Sequence, residues 1–339
     1  MRREINESPA LARKSFFAAL PGGTEQKRRL LRHKVSSASF VGEKLWHFFR
    51  FILLLSISFV IIFPILVKLS SAFMSYDDLM DKTVRSVPKN PTLENITSVI
   101  EMTGFWTAAK NTLLISAVCA IAQMAVAATV GYSLAKFKYR GRTLLFLIVI
   151  LLMIIPPQTI LISLYMKFMH FDIFGLFKLI FGAPLNLIDT PLPWSTFIMA
   201  FTGLGLKNGL YIFLMRQFYL GVPDELIEAA YIDGSGVYRT FFRIILPMSR
   251  ATMISILLLS FAWQWTDSFF STIFYTRIDV LANKIPIVYN TVLTYTRLHE
   301  VASVQMNTAL LLLIAPLLIL YIFCQRYFIQ GLERSGITG

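Results

Sequence analysis

Long apolar runs, separated by shorter charged segments, dominate the pattern of hydrophobic and polar positions along this chain. Six of them approach the length of about 20 residues that a helix needs to cross a bilayer. These runs cover residues 46–67, 112–135, 144–166, 194–215, 251–275 and 308–325. The pattern predicts an all-α integral membrane protein with about six transmembrane helices.

A further apolar segment, residues 171–181, is only eleven residues long and is followed by Pro184, Pro191 and Pro193. It is too short to span a bilayer, so we expect an outer interfacial or re-entrant piece. The alternative is a seventh span, which would invalidate the inside and outside assignments that follow it. In the third run, Pro156 and Pro157 predict a kink that a moving gate could use.

Charge gives the orientation of these runs. With the N-terminus inside, the inner segments hold 21 Lys and Arg residues and the outer segments hold 10. This asymmetry predicts that both termini are cytoplasmic. We divide the chain into a basic cytoplasmic arm (1–45), a transmembrane domain (46–330) and a cytoplasmic tail (331–339). The predicted location is the plasma or inner membrane.

Composition agrees with a membrane protein, because only 15% of the 339 residues are charged, against about 25% in soluble domains. The net charge of +13 is concentrated in the first fifty residues, which hold eleven Lys and Arg and four Glu. A basic arm beside a first span fits attraction to anionic lipid; the alternative is a disordered leader without a specific ligand. We expect no nucleic-acid partner.

The most informative polar segment is residues 223–247, between the fourth and fifth runs. Asp224 and Glu225 follow Pro223 and place negative charge at the start of a short helix. Gly234 is a natural end for that helix, and Pro247 precedes the next run. One face of a second short helix follows Gly234 and comprises Val237, Phe241, Ile244 and Ile245. Two short helices at an angle predict a knob that docks into a cleft of another protein.

The spacing of this segment carries a resemblance to a known family. Glu228-Ala229-Ala230, Gly234, and then Ile244, Leu246 and Pro247 resemble the EAA loop of bacterial ABC importer permeases. The chain from about residue 111 to its end is similar to carbohydrate-uptake permeases of the maltose-type, G-like family. The supporting segments are YSLAKFKYRGR (132–142), MIIPPQ (153–158), FLMRQFY (213–219) and the C-terminal QRYFIQGLERSGITG.

This resemblance implies a permease subunit that imports a sugar or oligosaccharide with cytoplasmic ATPase subunits, a second permease and an extracytoplasmic binding protein. Glu228 would meet basic groups on the ATPase, and Gly234 would permit the bend. The implied coupling residues are Glu228, Ala229, Ala230, Asp233, Gly234, Ile244, Leu246 and Pro247. The tail departs from the family pattern, with Thr338 where Lys is common. The alternative for the loop is an interfacial amphipathic helix without a partner.

Charged and aromatic residues within the runs are candidates for a substrate pathway. Lys207 and Asp267 are ionisable groups inside predicted spans, where charges normally face a bundle interior or a water-filled cavity. They could pair or line a pathway, or Lys207 could snorkel to the interface. Trp263 and Gln264 could contact sugar rings and hydroxyls, although an interfacial aromatic belt is the more common reason for such clusters. Thr266 stands where the family often has Asn.

The sequence contains no Gly-Lys pair, so it has no phosphate-binding Walker loop, and its four His are scattered. We therefore expect no cofactor, no metal and no enzyme activity in this chain. Three alternatives remain: a permease for a non-sugar solute, a self-sufficient secondary transporter and an intramembrane enzyme. The scarcity of acids and histidines within the runs disfavours the last two.

Overall fold

The computed structural model describes the backbone of residues 38–336 and the side chains of residues 42–326. Most of the predicted basic arm (1–45) and the predicted tail contact at Thr338 lie outside these described residues. The chain divides into two compact units, Met1–Leu66 and Val67–Gly339. Within the described part the fold is helical, and an isolated antiparallel bridge joins Phe171 to Leu185.

The helices follow one another along the chain with short connections. The first eight are α1 (Ala38–Ser71), α2 (Tyr76–Met80), α3 (Glu94–Thr103), α4 (Phe105–Lys136), α5 (Arg142–Ile154), α6 (Pro157–Met169), α7 (Leu176–Phe181) and α8 (Trp194–Thr202). The others are α9 (Asn208–Leu220), α10 (Asp224–Ile232), α11 (Val237–Thr240), a π-helical turn (Phe241–Ile245), α12 (Leu246–Met248), α13 (Arg250–Trp265), α14 (Phe269–Phe274), α15 (Leu281–Thr296) and α16 (His299–Gly336).

Three helices in the described part are long and apolar enough to cross a membrane without a break: Gly42–Ser71, Phe105–Lys136 and His299–Arg326. Two bent pairs raise the number of candidate spans to five if each pair is one span. The chain is therefore an all-helical multi-pass membrane protein with three to five candidate spans.

The predicted kink in the third run is confirmed. Helix α5 ends at Ile154, α6 begins at Pro157, and their axes differ by 104°. Proline disfavours helical backbone in the residue before it, and both Ile155 and Pro156 are extended. Because Pro157 occupies the first helical position, where no intrahelical N–H bond is needed, it starts the new helix without loss.

The fourth and fifth runs do not form the uninterrupted helices that their hydrophobicity predicts. In the fourth run, α8 ends at Thr202 and α9 begins at Asn208. Gly203 and Lys207 both have left-handed backbone, with φ of 83° and 60°, which no α-helix accommodates. In the fifth run, α13 ends at Trp265 and α14 begins at Phe269. Hydropathy averages over such breaks because they are only three to five residues long and lie between apolar helices.

The segment 171–181 forms only the six-residue helix α7, between Gly175 and Gly182. Both glycines have left-handed backbone, with φ of 82° and 79°. Gly175 therefore precedes the first helical residue and Gly182 follows the last. A six-residue helix is too short to cross a bilayer, so the expectation of a non-spanning segment is confirmed.

Helix α4 contributes to a core cluster with α9, α10 and α13. Close approach requires glycine at Gly131, since a Cβ there would lie 2.7 Å from Met215 Cβ and 3.0 Å from the Arg216 nitrogen. Met215, Tyr211 and Tyr219, on the facing helix, are completely buried. Small residues at such contacts let membrane helices approach closely, and this contact fixes α9, which leads into the polar loop.

Candidate functional site

The polar loop 223–247 begins with α10, which starts after Pro223 and ends at Ile232, with Asp233 as its C-cap residue. Gly234 has φ of 78°, as expected for a residue that ends a helix. A Cβ on Gly234 would meet nothing within 4 Å, so its backbone conformation, and not packing, favours glycine there. The predicted bend at this position is confirmed.

The second half of the loop is less regular than a single short helix. Helix α11 continues into the π-helical turn Phe241–Ile245 and then into α12, which contains Pro247. The segment Val237–Met248 meets α13 at 75°. A π-helical turn inserts one residue into the helical repeat, a feature often found at functional sites. The loop therefore connects to the fifth run through a sharp corner.

An ion pair anchors the start of the loop to α4. Lys136 Nζ donates to Asp224 Oδ1 at 2.5 Å and to the Val222 carbonyl oxygen at 2.6 Å. The Lys136 side chain is only 9% exposed, whereas that of Asp224 is 72% exposed. The hydrogen bond from Lys136 lowers the pKa of the Asp224 carboxyl below its usual value. The carboxylate is therefore ionised at neutral pH.

Apolar side chains hold the inner face of the loop against the membrane domain. Ile227, Ala230, Phe241 and Ile245 are buried. The Phe241 ring lies 4.8 Å, between centroids, from the ring of Tyr132 on α4. Of the residues that the resemblance assigns to coupling, Ala230 is therefore turned inward, and Ile244 and Leu246 are partly buried against the same cluster. The side chains of Ala230, Ile244 and Leu246 therefore face the membrane domain and not a partner protein.

The remaining coupling residues lie on the outer face, namely Glu228, Ala229, Asp233, Gly234 and Pro247. Two large apolar side chains lie among them, Ile232 at 86% and Tyr238 at 81% exposure. Exposed apolar groups on a polar loop are typical of interaction surfaces. Sequence reasoning missed both residues. For Tyr238 a signal was present, because it falls outside the apolar face predicted for the second short helix.

The second candidate site is the interruption between α8 and α9. Lys207 Nζ lies over the ring of Trp263, 5.0 Å from its centroid. A cavity of about 240 Å³ opens beside this break, and its lining includes Lys207, Asn208 and Phe270. Asn208 is 1% exposed, and neither its amide nitrogen nor its amide oxygen has a hydrogen-bond partner in the described part. Lys207 and Asn208 thus contribute polar residues to an otherwise apolar lining.

Asp267 bonds to backbone groups close to it in sequence and not to Lys207, which was one partner that the sequence allowed. Its carboxylate accepts hydrogen bonds from the backbone nitrogens of Phe269, Phe270 and Ser271, all at 3.2 Å. It therefore caps the N-terminus of α14. Among the side chains of residues 42–326, Asp267 and Lys207 form no ion pair.

The two tryptophans at the end of α13, Trp263 and Trp265, differ in exposure. Trp263 is 46% exposed, whereas Trp265 is 3% exposed and donates from Nε1 to the Leu313 carbonyl at 2.9 Å. Trp265 therefore belongs to the core and not to an interfacial belt. Gln264 is buried and, with Asp267, lines a small void of about 10 Å³. Of the four predicted pathway residues, only Lys207 lines the larger cavity.

Several known transporters are similar to this chain. The arabinooligosaccharides transport system permease protein AraQ of Halalkalibacterium halodurans is 28% identical, over 84% of this chain and 93% of AraQ. The alpha-glucoside transport system permease protein AglG of Rhizobium meliloti is 27% identical, over 75% of this chain and 62% of AglG. The fold resembles a solved bacterial ABC transporter involved in the import of the acidic polysaccharide alginate. The TM-score is 0.63 at 18% identity, over 85% of this chain and 98% of that chain.

A family model supports the same assignment over more than half of the chain. It describes a binding-protein-dependent transport system inner membrane component and matches residues 127–334. The match covers the helices from the last third of α4 through most of α16, including the polar loop and the interrupted fourth run. The chain therefore belongs to the family of inner membrane components of binding-protein-dependent transport systems.

Proposed function

We propose that this chain is a permease subunit of an ATP-driven importer and moves a carbohydrate delivered by an extracytoplasmic binding protein. The observation that carries the proposal is the loop 223–247, whose inner face is fixed to the membrane helices while Ile232 and Tyr238 protrude. Family membership supports the transport role. The names of AraQ and AglG, which refer to arabino-oligosaccharides and alpha-glucosides, support a carbohydrate substrate.

In this proposal the loop receives motion from a cytoplasmic ATPase subunit. Glu228 and Asp233 supply negative charge on its outer face, while Ile232 and Tyr238 supply apolar anchors for a cleft. Movement of the loop passes to α4 through Lys136 and to α13 through the π-helical corner. ATP hydrolysis takes place on the ATPase subunits, and this chain supplies no catalytic group.

We assign six spans, with both termini in the cytoplasm. The segment Trp194–Leu220 is the fourth span, crossed as two helices with a break at Gly203–Lys207. Broken helices of this kind occur in transporters where the irregular backbone lines a cavity. The transmembrane domain is 46–330 in this assignment, with the basic arm and the tail on the cytoplasmic side.

The substrate pathway in this proposal runs past the break in the fourth span. Lys207 and Trp263 present a cation and an aromatic face, and both groups suit sugar hydroxyls and sugar rings. Gln264 and Asp267 line a small void, and Asp267 also holds the start of α14 through backbone hydrogen bonds. A second, homologous permease closes the other side of the pathway.

The decisive experiment is affinity purification of the tagged full chain from its native membrane in mild detergent, followed by mass spectrometry. Recovery of an ATPase, a second permease and a solute-binding protein is the expected result. The recovered binding protein is then screened against sugars by thermal shift. If the chain is recovered alone and still transports after reconstitution, it is a secondary transporter and the importer proposal is wrong. If the binding protein responds only to non-sugar solutes, the carbohydrate assignment is wrong.

A further inference from the structure

A basic cleft of about 570 Å³ lies beside the start of α5, apart from the outer face of the coupling loop and the interrupted helix. Four cationic side chains contribute to it, from the segment before α5, from the first residue of α5 and from α9. The lining residues are Lys138, Tyr139, Arg140, Arg142, Thr143, Phe146 and Arg216. Charge asymmetry places this segment on the cytoplasmic side of the membrane.

The four cations form no salt bridge, although Lys138 lies close enough to Asp224 to help lower the pKa of that carboxyl. Among the described side chains, none of Lys138, Arg140, Arg142 and Arg216 forms an ion pair. The nearby Asp224 carboxylate is already bonded to Lys136. Four like charges around one cleft repel one another, and an anion in the cleft relieves that repulsion.

Arg216 is positioned for such an anion. Its guanidinium carbon lies 3.9 Å from the centroid of the Phe146 ring, which fixes the plane of the group. Its Nε is buried without a hydrogen-bond partner in the described part. A planar guanidinium that is held by an aromatic ring binds phosphate oxygens in a fork geometry.

The surface next to the cleft is apolar. Leu144, Leu147 and Ile148 follow directly on α5 and are 45–63% exposed. A basic cleft at the end of an exposed apolar helix matches the two parts of a phospholipid, namely a phosphate head group and acyl chains. Basic pockets between membrane helices on the cytoplasmic side bind anionic head groups in this way.

We propose that this cleft binds the phosphate group of an anionic phospholipid, with the acyl chains along α5. Arg140 and Arg142 contact the phosphate from the loop side, and Arg216 contacts it from α9. The proposal depends on the cytoplasmic placement of the segment but not on the transported substrate.

The test uses the full-length chain, with whatever subunits co-purify, after delipidation in detergent. Native mass spectrometry then measures retention of added phosphatidylglycerol and of added phosphatidylcholine. We expect selective retention of phosphatidylglycerol, and about five-fold weaker binding for each cation that is removed. The double variant Arg140→Gln/Arg142→Gln should therefore bind about 25-fold more weakly. Arg216 is left unchanged because its stacking on Phe146 contributes to packing.

Lys178→Gln is the matched control, since it removes one exposed cation from α7, away from the cleft. The control should bind phosphatidylglycerol like the parent chain, and all variants should show the parent melting temperature. A double variant that melts early is replaced by the single Arg140→Gln. Equal retention of both lipids, or no effect of the substitutions, overturns the proposal.

Two further results would identify another occupant. If inorganic phosphate protects the parent chain thermally and phosphatidylglycerol does not, the occupant is a free phosphate and the lipid assignment is wrong. If the double variant retains phosphatidylglycerol but loses a co-purifying ATPase, the cleft meets carboxylates of that subunit and the lipid assignment is again wrong. Failure to recover an ATPase with the parent chain would count against the proposed importer. It would not affect the lipid measurement, which needs only the parent chain.

Discussion

Lys136, the last residue of α4, lies 2.5 Å from Asp224, the first residue of α10, and the pair joins a membrane helix to the coupling loop. The cation also sits at the C-terminal end of a 32-residue helix, where the helix dipole favours positive charge. Its position makes it a direct polar connection between the proposed docking surface and the core of the membrane domain.

Replacing Lys136 with Met should weaken coupling more than folding. Asp224 is mostly exposed, so solvent screens the ion pair and its contribution to stability is small. Loss of the bond to the Val222 carbonyl adds about 1 kcal/mol. We expect uptake to fall several-fold, with a melting temperature only a few degrees lower. Lys89→Met is the control, because it breaks a comparable pair with Asp81 in an exposed loop. Equal loss of uptake in both variants would exclude a specific role for Lys136.

Glu228→Arg should abolish uptake while leaving expression and membrane insertion intact. The side chain is exposed on the outer face of α10, so the substitution reverses a charge without disturbing packing. Uptake and co-purification of the ATPase are the measurements. Glu101→Arg, an equal charge change on the exposed surface of α3, is expected to transport normally. Normal uptake by the Glu228 variant would remove the proposed role of this residue.

Gly131→Ala should destabilise the membrane domain. The added Cβ would lie 2.7 Å from Met215 Cβ, so α4 and α9 must move apart. Overpacking of this kind costs about 1–3 kcal/mol. A lower melting temperature of the purified protein is the expected result. Gly42→Ala is the control, since a Cβ there meets nothing within 4 Å. If both variants melt at the parent temperature, the α4–α9 contact is not tight in solution.

Lys207→Ala and Lys207→Gly separate the charge of Lys207 from its backbone strain. Both variants remove the ammonium group from Trp263 and should reduce transport without loss of the assembled complex. Lys207 has φ of 60°, and glycine relieves a strain of about 1–2 kcal/mol there. The glycine variant should therefore melt at a higher temperature than the alanine variant. Dissociation of the complex in both variants would mean that Lys207 is a packing residue.

The hydrophobic runs, together with the Pro and Gly residues that interrupt helices, predicted much of this fold. The breaks at Pro156–Pro157 and Gly234 follow from local chemistry, because proline lacks an N–H and glycine tolerates positive φ. The helix-ending residue Gly234 likewise predicted where the first short helix of the polar loop ends, whereas its coupling role stays a prediction. In contrast, the break at Lys207 could not be predicted, since lysine rarely adopts left-handed backbone.

The faces of the coupling loop required the tertiary structure. Ala229 and Ala230 are adjacent and chemically identical, yet Ala229 is exposed and Ala230 is buried. The sequence assigned both to docking, because their spacing alone does not reveal which side of a short helix meets the membrane domain. The sequence could not distinguish Trp263 from Trp265 for the same reason. The structure shows that Trp263 is exposed, whereas Trp265 is buried and donates to the Leu313 carbonyl of α16.

The sequence by itself determined the membrane class and the position of the polar loop 223–247 between two apolar runs, since these depend on composition and local spacing. The tertiary structure decided which residues act together. Lys136 pairs with Asp224 across 88 residues, Lys207 lies over Trp263, and Arg216 joins the basic segment before α5. Contacts between residues distant in sequence depend on how the helices pack, and a pattern along one chain does not specify that packing.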